Sequence, residues 1–453
     1  MAENEGRASA VPVERSSIDA DRWPGVARIP DGPLLGRRAN LARGSFRRAC
    51  VRHGVDLEGD GSASILVRDP DAMFRRLAEA DWVGLGESFL AGEWESETLP
   101  STLSALIDAG LDVGAEGRVG RGLRKLSGRR PEPRSAGPGG ELPVSLIELY
   151  AGSSLAGGSG LFASGARTTS LEEVPNQAPG AGRGGVPARH RIDVTRIDDP
   201  EGVARADLPE AQARRVERML DLARVRAGDR VLEWPSSGGE LALRAADRGA
   251  SADVLAISDD HAETVAARAA EAGLSGPVRV LRADRAIPSP RDFDGDYEAI
   301  FNVERLETFG PDGIRRWLRG AERVLADRGT IVVQMAVATD RFDDSAGDAL
   351  DLVRSYVWPA LHYPTIEEFR RIVDRDTGLR IVSESHFGGH WERTLDLWRG
   401  LFAARSRQAA GLGYDRVYRR LWDYHLGLQQ ALAASGRLDM VHVELMARPR
   451  SRR

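Results

Sequence analysis

Short apolar runs alternate with amphipathic stretches through the second half of the chain. The runs predict strands at 230–234, 254–257, 278–281, 297–303 and 329–335, and the stretches between them predict helices at 240–248, 261–272 and 311–326. Strands that alternate with helices in this way form a mainly parallel sheet with both faces covered. A last run at 440–446 alternates apolar and polar residues, as an antiparallel closing strand does. The predicted fold class is α/β with a Rossmann-like sheet.

Polar residues follow the predicted strands at the edge where an open α/β sheet binds its ligands. Glu233, Ser258, Asp284 and Gln334 each lie at or just beyond the end of a strand, and a further polar run covers 302–308. Their joint placement predicts a pocket at this edge. Each residue also has a simpler alternative, since Ser258, for example, suits the N-cap of the helix that follows it.

The turn after the first of these strands departs from a nucleotide-binding pattern. Pro235, Ser237 and Gly239 stand where such a turn has three glycines, so only the last is kept. A proline offers no backbone N–H to a ligand, whereas the N-terminus of the next helix still offers several. The window by itself leaves two interpretations open, a modified ligand turn and an ordinary turn without a ligand.

The remaining sequence suggests four regions. We predict a disordered N-terminus over 1–38, a small mixed domain over 40–112, a linker and mobile loop over 113–204, and the α/β domain over 205–453. A basic cluster in the linker has two interpretations, of which a solvated linker is favoured over contact with anionic lipid head groups. It comprises Arg118, Arg121, Arg124, Lys125, Arg129, Arg130 and Arg134.

Composition narrows the function classes. With 453 residues, 42% hydrophobic content and a net charge of −5, the chain has enough apolar surface for a core and no sign of a nucleic-acid partner. Cys50 is its only cysteine and its eight histidines have no metal-binding spacing, so neither a disulfide nor a metal site is expected. No apolar run reaches the length of a membrane span, and we expect a cytoplasmic protein that touches membranes at most peripherally.

Four sequence segments resemble one family. They are GLGESFLAGEW at 84–94, RAGDRVLE at 226–233, NVERLETFG at 302–310, and Thr394 with Leu395. Together they are similar to the cyclopropane-fatty-acyl-phospholipid synthases, especially the actinobacterial branch. The resemblance implies a class I methyltransferase sheet with a small mixed N-terminal domain. It also implies transfer of a methyl-derived carbon from S-adenosylmethionine to the double bond of an unsaturated phospholipid acyl chain, which gives a cyclopropane or a methyl-branched product.

The same resemblance assigns the site residues. It places S-adenosylmethionine against Glu233, Ser237 and Gly239, with Ser258 near the ribose and Asp284 near the adenine. Family members hold a bicarbonate that acts as a base, and the corresponding catalytic positions here are Glu307, Gln334 and Trp391. Thr308, Gln334 and Trp391 stand where the family has titratable residues, and segments 147–150 and 161–166 keep little of the family pattern beyond Ser164.

Two function classes follow from this pattern. The first is an enzyme that methylates unsaturated acyl chains, with those chains as partner and a homodimer left open. The second is a catalytically impaired paralogue that acts as a lipid-binding or regulatory protein. The strand-end cluster favours the first, whereas Pro235, Ser237 and the non-titratable replacements favour the second.

Overall fold

The chain divides into two compact units. The computed structural model describes residues 17–57, 61–111, 141–152, 158–183 and 186–448. The first unit draws on 1–137, 343–359 and 413–431, and the second on 138–342, 360–412 and 432–453. The predicted domain of 205–453 is therefore wrong in one respect, because two of its segments pack with the N-terminal region instead.

The helices and strands of the described residues are as follows. The helices are α1 Pro24–Ala27, α2 Leu35–Arg52, α3 Pro70–Ala91, α4 Leu99–Ala109, α5 Val144–Ala151, α6 Leu208–Leu222, α7 Glu240–Asp247, α8 Asp259–Glu271, α9 Gly310–Val324, α10 Asp344–Ala349, α11 Asp351–Tyr356, α12 Ile366–Asp376, α13 Gly388–Ala404, α14 Ser406–Gly411 and α15 Arg416–Ala434. The strands are β1 Leu66–Val67, β2 Trp94–Glu95, β3 Arg167–Pro175, β4 Arg189–Ile197, β5 Arg230–Glu233, β6 Ser251–Ala256, β7 Val278–Arg282, β8 Tyr297–Val303, β9 Leu325–Ala338, β10 Leu379–His386 and β11 Leu438–Ala447.

The second unit is built on a nine-stranded sheet in the order β3-β4-β10-β11-β9-β8-β5-β6-β7. The five strands from β9 to β7 in this order are parallel, and β11 runs antiparallel between β9 and β10. The predicted α/β sheet and its antiparallel closing strand are confirmed. Because β5, β6 and β8 are parallel neighbours, their carboxyl ends meet at one edge.

Both faces of the central parallel strands are buried, as a parallel sheet requires. Ile300 packs on one side in a cluster with Trp234 and Trp317, whereas its neighbour Phe301 packs on the other with Val231 and Val265. This arrangement anchors the strand ends from both sides. The residues that follow the strands are therefore held on a rigid base.

The predicted linker of 113–204 is wrong for much of its described part. It contains helix α5 and the antiparallel pair β3 and β4, and β4 joins the sheet through β10. Ile192 and Val194 alternate into the core, while most of β3 is exposed at the sheet edge. The glycine-rich and proline-rich loop between the two strands obscured their period-two pattern. The basic cluster of 118–134 lies outside the described residues.

Order also begins earlier in the first unit than predicted. Trp23 and Val26 are buried, and the indole N–H of Trp23 donates to Asp415 Oδ2 at 2.8 Å. Helix α2 starts at Leu35, inside the segment 1–38 that was expected to be disordered. The prediction fails for residues 17–38 because a few buried apolar side chains are enough to fix a short segment that lacks periodicity.

The GLGESFLAGEW segment has structural roles in this first unit. A side chain at Gly84 would bring its Cβ into collision with the carbonyl oxygen of Arg76, so only glycine permits this approach. The Trp94 indole donates to Ser88 Oγ at 2.9 Å, and buried Glu93 pairs with buried Arg76 at 3.1 Å. The most specific part of the sequence resemblance thus builds the scaffold of the first unit.

Candidate functional site

The turn after β5 is organised around Glu233. This carboxylate is fully buried, and its Oε1 accepts hydrogen bonds from both the backbone N–H and the hydroxyl of Ser237, the latter at 2.8 Å. Its Oε2 is buried and has no hydrogen-bond partner among the described residues. Ser237 therefore points into the protein and fixes the carboxylate, while one carboxylate oxygen remains without a donor.

Gly239 completes this turn at the start of α7. Its φ of +83° lies in the left-handed region, and an added Cβ would lie 3.0 Å from Val265. Arg268 donates to the carbonyl oxygen of Gly238 at 2.6 Å and pairs with Glu240 at the same distance. The turn thus keeps a defined shape without the first two glycines of the pattern, because side chains from α7 and α8 support it.

A carboxylate that the sequence analysis did not predict, that of Glu141, binds at the end of β6. Glu141 accepts from Ile257 N–H at 3.0 Å and from the N–H and hydroxyl of Ser258, both at 2.8 Å. Ser258 Oγ also accepts from His261 N–H at 3.3 Å, so it does cap helix α8. Ser258, the predicted ribose residue, is therefore hydrogen-bonded within the protein. It holds the Glu141 carboxylate at the end of β6.

The segment that carries Glu141 is tied to the start of α8. His261 Nε2 lies 2.8 Å from the Leu142 carbonyl oxygen, and Asp260 accepts from Val144 N–H at 2.7 Å. Asp260 thereby satisfies a free N–H at the start of α5. Sequence reasoning missed this segment because it lies within the predicted linker.

Asp284 lies just beyond β7 at the same edge. Ala283 N–H donates to the Ala256 carbonyl oxygen at 3.0 Å, which aligns this end with that of β6, and the Asp284 side chain is exposed. The structure places the predicted adenine residue beside β6, at the rim of the site.

Glu307 occupies a short 3-10 turn, Leu306–Phe309, after β8. Its Oε1 accepts from Ala336 N–H at 2.6 Å, whereas its Oε2 is buried without a partner among the described residues. Burial raises the pKa of this carboxyl to about 8, and Glu304 adds to the shift while Arg305 opposes it. A carboxyl with such a pKa exchanges its proton near neutral pH, as a general base must.

Gln334 is part of a buried polar network. Its amide nitrogen donates to Glu304 Oε1 at 2.5 Å, and its amide oxygen accepts from His442 Nε2 at 2.8 Å. Glu304 Oε1 also accepts from the N–H and hydroxyl of Ser159, at 2.7 and 2.5 Å. Burial keeps the pKa of His442 well below its usual value, so this histidine is neutral and Nε2 carries the donated hydrogen.

A buried guanidinium balances the carboxylates of this network. Arg215 is fully buried, and burial lowers its pKa to about 10 while Glu304 and Glu233 act in the opposite direction. Arg215 and Glu304 were not predicted as site residues, although Glu304 lies within the NVERLETFG segment. Only the fold shows that the side chains of α6 and of the segment after β8 share one environment.

Trp391 is buried on α13 and makes no hydrogen bond to Glu307 or Gln334 among the described residues. Its neighbour His390 instead holds the segment 160–165: Nδ1 accepts from Phe162 N–H at 3.0 Å and Nε2 donates to the Asp198 carbonyl oxygen at 3.1 Å. Burial lowers the pKa of His390 to about 4, which suits this neutral role. Ser164, the residue that seemed retained, pairs with Glu201 at the surface, and Ser159 takes the inner position.

Comparison with known proteins identifies the family. The model of the family described as mycolic acid cyclopropane synthetase matches residues 202–443, more than half of the chain. The chain belongs to this family.

Two relatives match along almost their whole length. The tuberculostearic acid methyltransferase UfaA1 of Mycobacterium tuberculosis is 29% identical over 435 residues, which cover 94% of this chain and 95% of the relative. The cyclopropane-fatty-acyl-phospholipid synthase of Escherichia coli K12 is 22% identical over 428 residues, 91% of each chain. Both agree with the resemblance that the motifs indicated.

A solved structure supports the fold. The structure of coclaurine N-methyltransferase bound to N-methylheliamine and SAH covers 82% of this chain and 99% of its own, with a TM-score of 0.55 at 14% identity. The predicted class I methyltransferase sheet is thereby confirmed. By family and fold the chain is an S-adenosylmethionine-dependent methyltransferase.

For such a methyltransferase, the strand ends present an unusual set of acceptors. Asn302 is buried with its Oδ1 unpartnered among the described residues, and its Nδ2 donates to the Trp234 carbonyl oxygen at 2.9 Å, next to Glu233. Three buried oxygens at this edge, Asn302 Oδ1, Glu233 Oε2 and Glu307 Oε2, thus have no donor among the described residues. Buried acceptors are rarely left unpaired, so this edge fits a ligand that carries positive charge and N–H groups.

Two features are absent from the described part of the chain. No group of three or more histidine, cysteine, aspartate or glutamate residues within it can hold a metal ion. None of the helices described is long and apolar enough to cross a membrane.

Proposed function

We propose that this protein transfers the methyl group of S-adenosylmethionine to the double bond of an unsaturated fatty acyl chain of a phospholipid. The observation that carries the proposal is the set of buried acceptor oxygens on Glu233, Asn302 and Glu307 that have no donor among the described residues. S-adenosylmethionine has an ammonium and a sulfonium, and this edge of a class I sheet is where such a ligand lies. The names of the two full-length relatives supply the lipid substrate.

The residues at the strand ends fit the parts of this ligand. Glu233 Oε2 and Asn302 Oδ1 would accept from the ammonium, and Glu141, which Ser258 holds at the end of β6, would accept from the ribose hydroxyls. Asp284 would reach the adenine from the rim. When bound, S-adenosylmethionine supplies an electrophilic methyl group.

Glu307 is proposed as the residue that accepts a proton. Addition of a methyl group to an alkene leaves a carbocation on the acyl chain, so a base must remove a proton to complete the reaction. The pKa of about 8 means that much of Glu307 is protonated at neutral pH in the free protein. Positive charge nearby would favour the carboxylate and lower this pKa when the site is filled.

Bicarbonate does not fit around the three residues that the resemblance assigned to it. Gln334 already donates to Glu304 and accepts from His442, and the Ala336 N–H is used by Glu307. An anion beside Glu307 would also oppose the ionisation that this carboxyl needs in order to act as a base. We therefore assign proton removal to Glu307 and derive no step through bicarbonate.

The proposed site of action is the cytoplasmic face of a membrane, reached by peripheral contact. An acyl chain must leave the bilayer to reach a buried carboxylate, so the enzyme would work next to its lipid. A methyl-branched product is favoured over a cyclopropane, because the relative at 29% identity is named a methyltransferase. Loss of a proton from the carbon next to the cation re-forms a double bond in the acyl chain, so this product is a methyl-branched alkene, no reductant is required, and S-adenosylhomocysteine is the leaving group.

The alternative function is that of an impaired paralogue that binds lipid or a partner without chemistry. The observation that favours it is that the hydroxyls of Ser237 and Ser258 are both engaged by carboxylates of the protein. They would then offer a cofactor fewer donors than the sequence suggested. This alternative predicts lipid binding with no measurable affinity for S-adenosylmethionine.

Calorimetric titration with S-adenosylmethionine separates the two functions. The enzyme should bind it, and incubation with an unsaturated phospholipid and methyl-labelled S-adenosylmethionine should add labelled carbon to the acyl chain, seen by mass spectrometry. Titration in buffers of different ionisation enthalpy should also reveal proton release as Glu307 ionises. Absence of binding at millimolar ligand would refute the enzymatic proposal.

A further inference from the structure

A groove is lined by side chains of α6 and by Arg167 at the start of β3. It encloses about 420 Å³. Its charged lining residues are Arg167, Glu210, Arg214, Glu217, Arg218 and Asp221. Equal numbers of acids and arginines line the groove, so its character depends on which charges are already paired.

All three acids are paired with arginines other than Arg167 and Arg218. Glu210 pairs with Arg214 at 2.5 Å, one turn along α6. Glu217 pairs with Arg244 at 2.8 Å, and Asp221 pairs with Arg248 at 2.8 Å. The negative charge of the lining acids is therefore largely neutralised by these other arginines.

Arg167 and Arg218 remain as two cations without an ion pair among the described residues. Arg218 donates to the hydroxyl of buried Ser385 at 2.7 Å, which orients its guanidinium, and its Nε is buried without a partner. Both side chains line the same groove, where burial and the charge of Arg167 lower the pKa of Arg218 and the charge of Asp221 opposes this shift. Two adjacent guanidinium groups without a counter-ion are typical of an anion site.

We infer that this groove binds a phosphate group between Arg167 and Arg218. Each guanidinium can donate two parallel hydrogen bonds to phosphate oxygens, and the charge of a phosphate offsets that of the two cations. A volume of about 420 Å³ also leaves room for the alcohol to which a phosphate is esterified. The phosphate comes either from a phospholipid head group, in which case the inference rests on the proposed function, or from free phosphate.

The test compares two substitutions that remove the same charge from the same groove. Inorganic phosphate and glycerol 3-phosphate are titrated into the full-length wild type, Arg167→Gln and Arg214→Gln. Loss of a charged hydrogen-bonding partner should weaken binding about tenfold or more in Arg167→Gln. Arg214→Gln should change it less than about threefold, because Glu210 already neutralises Arg214. Arg218→Lys, which keeps the charge but loses the paired N–H groups, should lie between them.

Vesicles of an unsaturated phosphatidylglycerol identify the source of the phosphate. If Arg167→Gln also weakens co-sedimentation with vesicles, the groove takes the lipid head group. If it weakens only the binding of inorganic phosphate, the groove takes free phosphate, and both results support the inference. No phosphate binding by wild type, or equal losses in Arg167→Gln and Arg214→Gln, would overturn it. Affinity for S-adenosylmethionine, measured on the same proteins, reports separately on the proposed function.

Discussion

The turn after β5 and the turn after β8 each bury a glutamate at the same edge of the sheet, in opposite chemical situations. Glu233 accepts two hydrogen bonds from Ser237, and the buried guanidinium of Arg215 lies within its electrostatic influence. Glu307 accepts one hydrogen bond, from Ala336, and burial raises its pKa to about 8. The difference is that Glu233 shapes a turn, whereas Glu307 has the raised pKa of the base that we propose it to be.

Replacement of Glu307 by glutamine should have the largest effect. The amide keeps the size of the side chain but cannot take a proton, so methyl transfer should fall by about 100-fold or more, the scale for loss of a general base. Product formation on an unsaturated phospholipid measures this loss, and S-adenosylmethionine affinity should change only a few-fold. Glu271→Gln, an exposed change on α8, is the control. An active wild type with an equally active Glu307→Gln would remove Glu307 from the mechanism.

The pH dependence of kcat/KM tests the raised pKa of Glu307. Because the pKa of Glu307 is raised to about 8, the carboxyl is protonated below that pH and cannot act as a base. The ratio kcat/KM should therefore fall by about tenfold for each pH unit below the pKa and level off above it. The apparent pKa in kcat should be lower, since bound positive charge favours the carboxylate. A profile that is flat from pH 6 to 9 would contradict this assignment.

The parallel sheet could be predicted from the sequence because each strand carries its own signal. The strands β5 to β9 are short apolar runs between amphipathic helices, and this local pattern survives in the fold. Position at a strand end and the family resemblance could also select Glu233 and Glu307 as candidate site residues, but not their burial. Their different roles could not be predicted, because they depend on how many donors surrounding segments bring to each carboxylate.

The residues missed by sequence reasoning belong to segments with weak local signals. Glu141 and Ser159 lie in a region rich in glycine, proline and serine, and they become part of the site only through contacts with Ser258 and Glu304. Segments 343–359 and 413–431 likewise belong to the first unit, although they lie far from its N-terminal residues in the sequence. Trp391 shows the converse, since alignment with a family position did not give it a hydrogen bond to Glu307 among the described residues.

Removal of the Ser237 hydroxyl tests the turn after β5. In Ser237→Ala, buried Glu233 keeps the backbone N–H but loses the hydroxyl, which should cost about 1–3 kcal/mol of stability. Ser237→Thr keeps the hydroxyl and should recover most of that loss. Denaturant unfolding measures both variants.

By the same reasoning, Pro235→Gly with Ser237→Gly should not strengthen S-adenosylmethionine binding, and a clear gain in affinity would show that the native turn blocks the site.

The smallest effect is expected at Asp284, the rim residue of the same edge. Its side chain is exposed, so Asp284→Ala should change the free energy of unfolding by less than about 0.5 kcal/mol. If Asp284 accepts a hydrogen bond from the adenine, its loss should weaken S-adenosylmethionine binding by about two- to tenfold, the scale of one such bond in partial contact with water. Asp296→Ala removes the same charge from another exposed loop and should leave the affinity unchanged. Titration of both variants decides the matter: equal affinities would exclude Asp284 from the site, whereas a loss beyond about 100-fold would mean that the rim, and not the buried pair of glutamates, dominates cofactor binding.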